Sequence, residues 1–169
     1  MNRRRRTGQG WPCIAIALGL LAVPAAVPAR AGGAANCALS VTPLAFGKYV
    51  PSANSPSDFT ATITLTCTAS GTTPVPIHGT ISLTGAGGPP GRQLAAGTHH
   101  LRYQLYVDPA RTALWGDGSG GGGTTTISGV VGLATPLRQV LTVYGRILAR
   151  QSDALVGNYT DQITAVLTY

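Results

Sequence analysis

The feature that most constrains the fold is a strict two-residue alternation, clearest in TATITLTC at residues 60–67. One side of this stretch carries four threonines and the other carries apolar side chains, namely Ala61, Ile63, Leu65 and Cys67. Because successive side chains of a β-strand point to opposite faces, the pattern predicts a strand with one buried face. An amphipathic helix would instead repeat its apolar residues every three or four positions.

Strand character recurs along the chain. Four further segments alternate, at residues 77–84, 101–107, 141–147 and 163–169, and two less regular ones lie at 37–48 and 124–131. The chain has no Glu and a single Lys, which removes the residues from which long exposed helices are usually built. The predicted fold class is therefore all-β. About seven strands in one domain suit an immunoglobulin-like β-sandwich.

The amino end has the three parts of a secretory signal peptide. Four arginines at residues 3–6 precede an apolar stretch at residues 14–27, and Ala29-Arg30-Ala31 gives the small-x-small pattern that signal peptidase accepts. Prolines interrupt the apolar stretch, which is shorter than the roughly 20 residues that span a bilayer, so an uncleaved membrane anchor is the weaker interpretation. We predict a cleaved signal peptide at residues 1–31, a mature domain at residues 32–169 and export to the periplasm, with no integral membrane span after cleavage.

The net charge of +7 is concentrated in this predicted leader. Residues 32–169 keep seven Lys or Arg against five Asp, a formal net charge of +2. Nucleic-acid-binding proteins neutralise phosphates with a much denser basic surface, so no nucleic-acid partner is predicted.

Two cysteines, Cys37 and Cys67, remain in the predicted mature chain. In an oxidising compartment the expected assignment is one disulfide between them. The alternative is two separate buried thiols.

The predicted mature chain offers little material for catalysis or metal binding. Asp108 and Asp117 fall in expected turns, where Asp bonds its own nearby backbone. The stretch GDGSGG at residues 116–121 resembles the nucleophile region of chymotrypsin-like proteases, but an extra Gly interrupts it and no segment supplies the base. His99 and His100 are adjacent and would point to opposite faces of a strand, so they would seldom share one metal ion. We predict no enzyme activity and no catalytic, cofactor-binding or metal-binding residue.

Five motifs follow one another in order along the predicted mature chain. They are CALSVTPLAFGKYVP from Cys37, which contains Phe46, Gly47 and Tyr49 as Phe-Gly-x-Tyr, then TATITLTC, LRYQLYVDPARTALWGDG, LTVYGRI and GNYTDQITAVLTY. In this order and over some 130 residues the chain resembles the spore coat protein U domain family, which also forms the subunits of archaic (Csu-type) chaperone-usher pili.

The resemblance implies an immunoglobulin-like sandwich that lacks its last strand, so that a hydrophobic groove lies open between the first and final strands. In the family a periplasmic chaperone lends a strand to the groove, and at the outer-membrane usher the amino-terminal extension of the next subunit replaces it. The implied function is that of a secreted structural subunit of a surface pilus or coat, with other such subunits as partners. The residues expected at the groove are Leu39, Val41, Phe46, Ile163, Ala165, Leu167 and Tyr169.

The chain departs from the family in its expected donor segment. Polymerising subunits carry about a dozen residues of alternating apolar character before the first Cys, as strand donation requires, whereas only residues 32–36, GGAAN, precede Cys37 here. We therefore expect a subunit that accepts a strand without donating one, in a terminal or minor position. The alternative function is a carbohydrate- or surface-binding adhesin module that uses Trp115, Tyr106 and the glycine-rich loop at residues 116–123.

Overall fold

The computed structural model describes residues 34–169, so the predicted signal peptide at residues 1–31 lies outside the described residues. The described part is all-β and forms a sandwich of two sheets. Its eight strands are β1 (Ala34–Val41), β2 (Ser57–Ser70), β3 (Val75–Gly85), β4 (Gln93–Ala96), β5 (His99–Tyr106), β6 (Thr125–Val131), β7 (Leu137–Ile147) and β8 (Ile163–Thr168). The predicted immunoglobulin-like, all-β fold class is confirmed.

The two sheets are of unequal size. The first sheet has five strands in the order β1-β2-β7-β5-β4, and the second has three in the order β6-β3-β8. Every pairing between these strands is antiparallel. Within the described chain, β1 pairs only with β2 and β8 pairs only with β3, so each of them is an edge strand of its sheet.

The core lies between the sheets and follows the alternation in the sequence. In β2 the four apolar residues from Ala61 to Cys67 are buried, while the intervening threonines face the other side of the first sheet. Strands β3, β5, β6 and β7 contribute further buried side chains, among them Ile81, Tyr103, Ile127 and Ile147. Burial of this apolar surface is the main contribution that stabilises the sandwich.

Trp115 fastens one sheet to the other. Its side chain is only 1% exposed. The indole Nε1 donates to the carbonyl of Ile81 in β3 at 3.0 Å, and the backbone amide of Trp115 donates to the carbonyl of Leu105 in β5 at 2.8 Å. Because β3 and β5 belong to different sheets, this residue holds the sandwich together where the segment after β5 turns back.

One strand prediction needs correction, and one strand was not predicted. The predicted strand at residues 37–48 ends at Val41, because Pro43 lacks the amide that a continuing strand would need. Strand β4 was not predicted, since four residues are too few to show a period. It pairs with β5 through the two-residue loop Gly97-Thr98, where Gly97 has a φ of 62°, as the first position of such a hairpin loop can require.

Candidate functional site

A long groove opens between the two sheets beside the edge strands. Two irregular segments form its walls, residues 42–51 after β1 and residues 154–162 before β8. Its floor consists of buried core side chains from both sheets, among them Ile63, Leu83 and Tyr103. The cavity has a volume of about 910 Å³. The cavity therefore reaches the core of the sandwich along this side.

The first wall is held by apolar side chains that pack onto the first sheet. Leu44 and Phe46 lie over Gly145 of β7, where an added Cβ would come within 2.5 Å of Leu44 Cδ2 and 3.0 Å of Phe46 Cε1. The ring of Phe46 also meets the rings of Phe59 and Tyr103 edge-on, with centroids 5.5 Å apart in both pairs. Gly145 thus provides the space in which this wall sits.

Hydrogen bonds fix the far end of the first wall. The hydroxyl of Tyr49 donates to the carbonyl of Leu148 at 2.9 Å and accepts from the amide of Gln151 at 3.2 Å. The side chain of Gln151 in turn bonds both the amide and the carbonyl of Arg102 in β5. The end of the first wall is therefore tied to the start of the second.

The second wall is anchored to the edge of the first sheet. Thr160 exchanges two backbone hydrogen bonds with Ala95 of β4, at 2.8 and 3.0 Å. One residue later, Asp161 Oδ2 accepts a 2.6 Å hydrogen bond from the hydroxyl of Tyr103. Burial, followed by this bond, raises the pKa of the Tyr103 phenol, which therefore stays protonated and donates.

At the opposite end the two edge strands approach each other. The amide of Cys37 in β1 donates at 3.2 Å to the hydroxyl of Tyr169, the residue after β8. Cys37 also forms the expected disulfide with Cys67, its direct partner in the β1–β2 register, with the Cα atoms 4.0 Å apart. The disulfide fastens β1 to β2 close to the point where Tyr169 crosses the groove.

The predicted groove residues fall into three groups. Four of them line the cavity, namely Val41, Phe46, Ile163 and Ala165. Leu39 and Leu167 pack against the adjoining core, and Tyr169 is 56% exposed with its hydroxyl on Cys37. The cavity itself is thus formed by four of the seven residues.

The sequence analysis missed the second wall. Residues 154–160 show no alternation and are positioned by contacts that are distant in sequence. Asp161 could have been found, because it continues the inward-facing set of Ile163, Ala165 and Leu167 by one more step of two residues.

The residues considered for other chemistry have structural roles or remain exposed. Asp108 accepts from the amides of Thr112 and Ala113, which lowers the pKa of its carboxyl, and Asp117 accepts from the amide and hydroxyl of Ser119. Both therefore have the predicted turn roles. His99 and His100 are exposed at the start of β5. In residues 34–169 no cluster of three His, Cys, Asp or Glu could hold a metal ion, and no helix is long and apolar enough to cross a membrane.

The contact surface suggested for a carbohydrate-binding module is not formed as expected. Trp115 is buried, so it is unable to stack on a glycan. The glycine-rich loop is closed by its own backbone hydrogen bonds, including Gly118 to Gly122 at 2.9 Å. Tyr106 is half-buried opposite Tyr144 of β7, on the outer face of the first sheet.

Comparison with known proteins gives one informative match. No curated protein sequence matches the chain. The family model described as Spore Coat Protein U domain matches residues 23–166, most of the chain and all eight strands except the last two residues of β8. Proteins of this family are structural subunits of pili or coats rather than enzymes. With the sandwich, the disulfide and the open groove, this match shows that the chain belongs to the Spore Coat Protein U family.

Proposed function

We propose that the protein is a secreted structural subunit of a surface pilus or coat that accepts an extended strand from another polypeptide into its groove. The observation that carries the proposal is the 910 Å³ cavity, which is lined by core side chains and lies beside an edge strand. The donor would be a periplasmic chaperone first and another subunit later, with exchange at an outer-membrane usher. The protein would thus pass through the periplasm to the cell surface.

The edge of β8 supplies the main-chain part of such an interaction. One edge of this strand pairs with β3, and no described strand pairs with its other edge. Ile163, Ala165 and Leu167 point inward, and the residues between them point outward. A strand added to the edge of a sheet gains main-chain hydrogen bonds, while its alternate side chains enter pockets.

The rim of the groove supplies the apolar part. Val41, Leu155 and Val156 line the cavity and are nevertheless largely exposed, Val156 completely so. Val50 is another exposed apolar residue of the first wall. Clustered apolar side chains around an open core are characteristic of a surface that is covered by a partner. They also make the uncovered protein an aggregation hazard, which would explain the need for a chaperone.

The pairing of β1 supports the acceptor role. Residues Ala34, Ala35 and Asn36 already pair with Thr68–Ser70 of β2. With cleavage after Ala31, only two glycines would remain free to form a donor segment. The proposed position is therefore terminal or minor. Mixing the chaperone-bound protein with a subunit that has an intact donor segment should give a binary complex, whereas growth of the purified protein alone into long fibres would refute this part.

A peptide-binding experiment tests the main proposal. A fluorescent peptide of about ten residues, the length of a long strand, with alternating apolar side chains should bind the mature protein, and binding should slow hydrogen exchange at the β8 amides. Substituting Ala165→Phe fills the cavity and should abolish binding. The matched control Val166→Phe changes the outward-facing neighbour and should bind as the wild type does. Equal binding by both variants would refute the proposal, and so would protection, in the free monomer, of the β8 amides that point away from β3.

A further inference from the structure

The end of the second wall and β8 together carry a row of side chains on one face, and this row changes from polar to apolar and back along its length. The row is Asp161, Ile163, Ala165, Leu167 and Tyr169, each two residues from the next. Its middle is apolar and its two ends are polar. Among the described residues that line the cavity, Asp161 and the exposed Lys48 of the opposite wall are the charged ones. Any strand that fills the groove must therefore cover a carboxylate at one end.

Two hydrogen bonds from the protein hold the carboxylate of Asp161 in place. Its Oδ2 accepts from the hydroxyl of Tyr103, whose side chain is 2% exposed, and its Oδ1 accepts at 2.7 Å from the amide of Gln162. An ionised carboxylate has about four lone-pair positions. Two of them are occupied in this way. The remaining acceptor capacity is available to water as long as the groove is unoccupied.

A buried guanidinium belongs to the same part of the core as this carboxylate. Arg92 is 1% exposed, and its Nη2 donates at 3.0 Å to the carbonyls of both Leu83 and Trp115. Its Nε and Nη1 have no hydrogen-bond partner among the described residues, and its backbone carbonyl accepts at 3.2 Å from the amide of Tyr103, the residue whose hydroxyl bonds Asp161. Because this buried cation lies beside Tyr103, a second cation brought in by the occupant would meet electrostatic repulsion. A neutral hydrogen-bond donor meets none.

We propose that Asp161 is a specificity-determining residue of the groove, which selects a donor strand with a hydroxyl side chain, Ser or Thr, at the position facing Asp161 and apolar side chains at the other inward positions. This inference rests on the proposed function. An apolar side chain over Asp161 would remove water from the carboxylate without replacing its hydrogen bonds, and an unsatisfied buried acceptor is costly. A hydroxyl replaces the lost water directly.

A Thr/Val scan of the peptide tests the inference on the wild-type protein. Thr and Val have nearly the same shape, so exchanging them at each inward position isolates the hydroxyl. We expect Val to bind as well as or better than Thr at every position except one, where Thr binds about tenfold more tightly. That position should be at the end of the peptide beside residues 159–162, away from Tyr169. Nuclear Overhauser contacts to the labelled Thr would locate it.

Variants of the protein identify the residue responsible. Asp161→Leu should reverse the preference at that position in favour of Val, while Lys48→Leu, the matched control, should leave it unchanged. If Asp161→Leu does not fold, Tyr103→Phe provides the test, because it frees one acceptor position of Asp161 and should increase the preference for Thr. Peptides that bind without a Thr preference at any position would overturn this inference alone, and a failure of every peptide to bind would overturn the proposed function.

Discussion

Reducing the Cys37–Cys67 disulfide should lower the free energy of unfolding of the mature protein by about 3–4 kcal/mol. The bond joins two directly opposed residues of β1 and β2 that are 30 positions apart in the sequence. A cross-link over a loop of that length removes conformational entropy from the unfolded chain, which gives this magnitude on the loop-closure model. The free energy of unfolding of a whole domain is only about 5–15 kcal/mol, so the disulfide contributes a large fraction of it.

Comparing three forms of the protein distinguishes the stability contributed by the cross-link from the stability contributed by side-chain packing. The oxidised protein, the reduced protein and the Cys37→Ala/Cys67→Ala variant would be unfolded with urea under reversible conditions, and their midpoints and slopes compared. Cys67 is completely buried, so the double variant should lose about 1 kcal/mol more than the reduced protein through lost packing. Equal unfolding midpoints for the oxidised and reduced forms would refute the reasoning.

Three further predictions concern single side chains. Gly145→Ala should destabilise the protein by about 1–3 kcal/mol in urea unfolding, because its methyl group would collide with the first wall of the groove, whereas the control Gly132→Ala, with room for a methyl group, should change stability by less than about 0.5 kcal/mol. Trp115→Phe should cost about 2 kcal/mol in the same assay, since it loses the indole hydrogen bond and buried volume; an unchanged midpoint would contradict its role between the sheets. The hydrogen bond from Arg146 lowers the pKa of Asp58, so the stabilising effect of this pair is present above the ordinary carboxyl pKa of about 4 and is lost as the pH falls through the lowered folded value. The stability difference between the wild type and Asp58→Asn should accordingly vanish at low pH, and a difference independent of pH would contradict the assignment.

The strands that were predicted well are those with one buried face and a two-residue alternation that repeats several times. Strands β2, β3, β5, β7 and β8 are of this kind, and each alternation predicted the inward-facing side correctly. The pattern carries this information because burial of one face is decided by residues within the strand itself. Strand β4 has too few residues to carry such a pattern, and its place depends on the hairpin that pairs it with β5.

The groove could be predicted only in part, for the same reason. The resemblance to the family indicated the edge strands, and four of the seven residues expected there line the cavity. The second wall depends on Thr160 meeting Ala95 and on Asp161 meeting Tyr103, contacts between residues far apart in the chain. A local sequence pattern does not encode such long-range contacts. The burial of Trp115 likewise results from the return of the segment after β5, which the sequence does not reveal locally.

The position of the disulfide also determines how the subunit would bear mechanical load. Tension applied to the amino end of β1 can peel away only the three residues Ala34–Asn36 before it reaches Cys37. From there the covalent bond passes the force to β2, the longest strand, which is paired along eleven positions with β7 in the middle of its sheet. A pull on this edge strand is thereby borne by the centre of the sandwich.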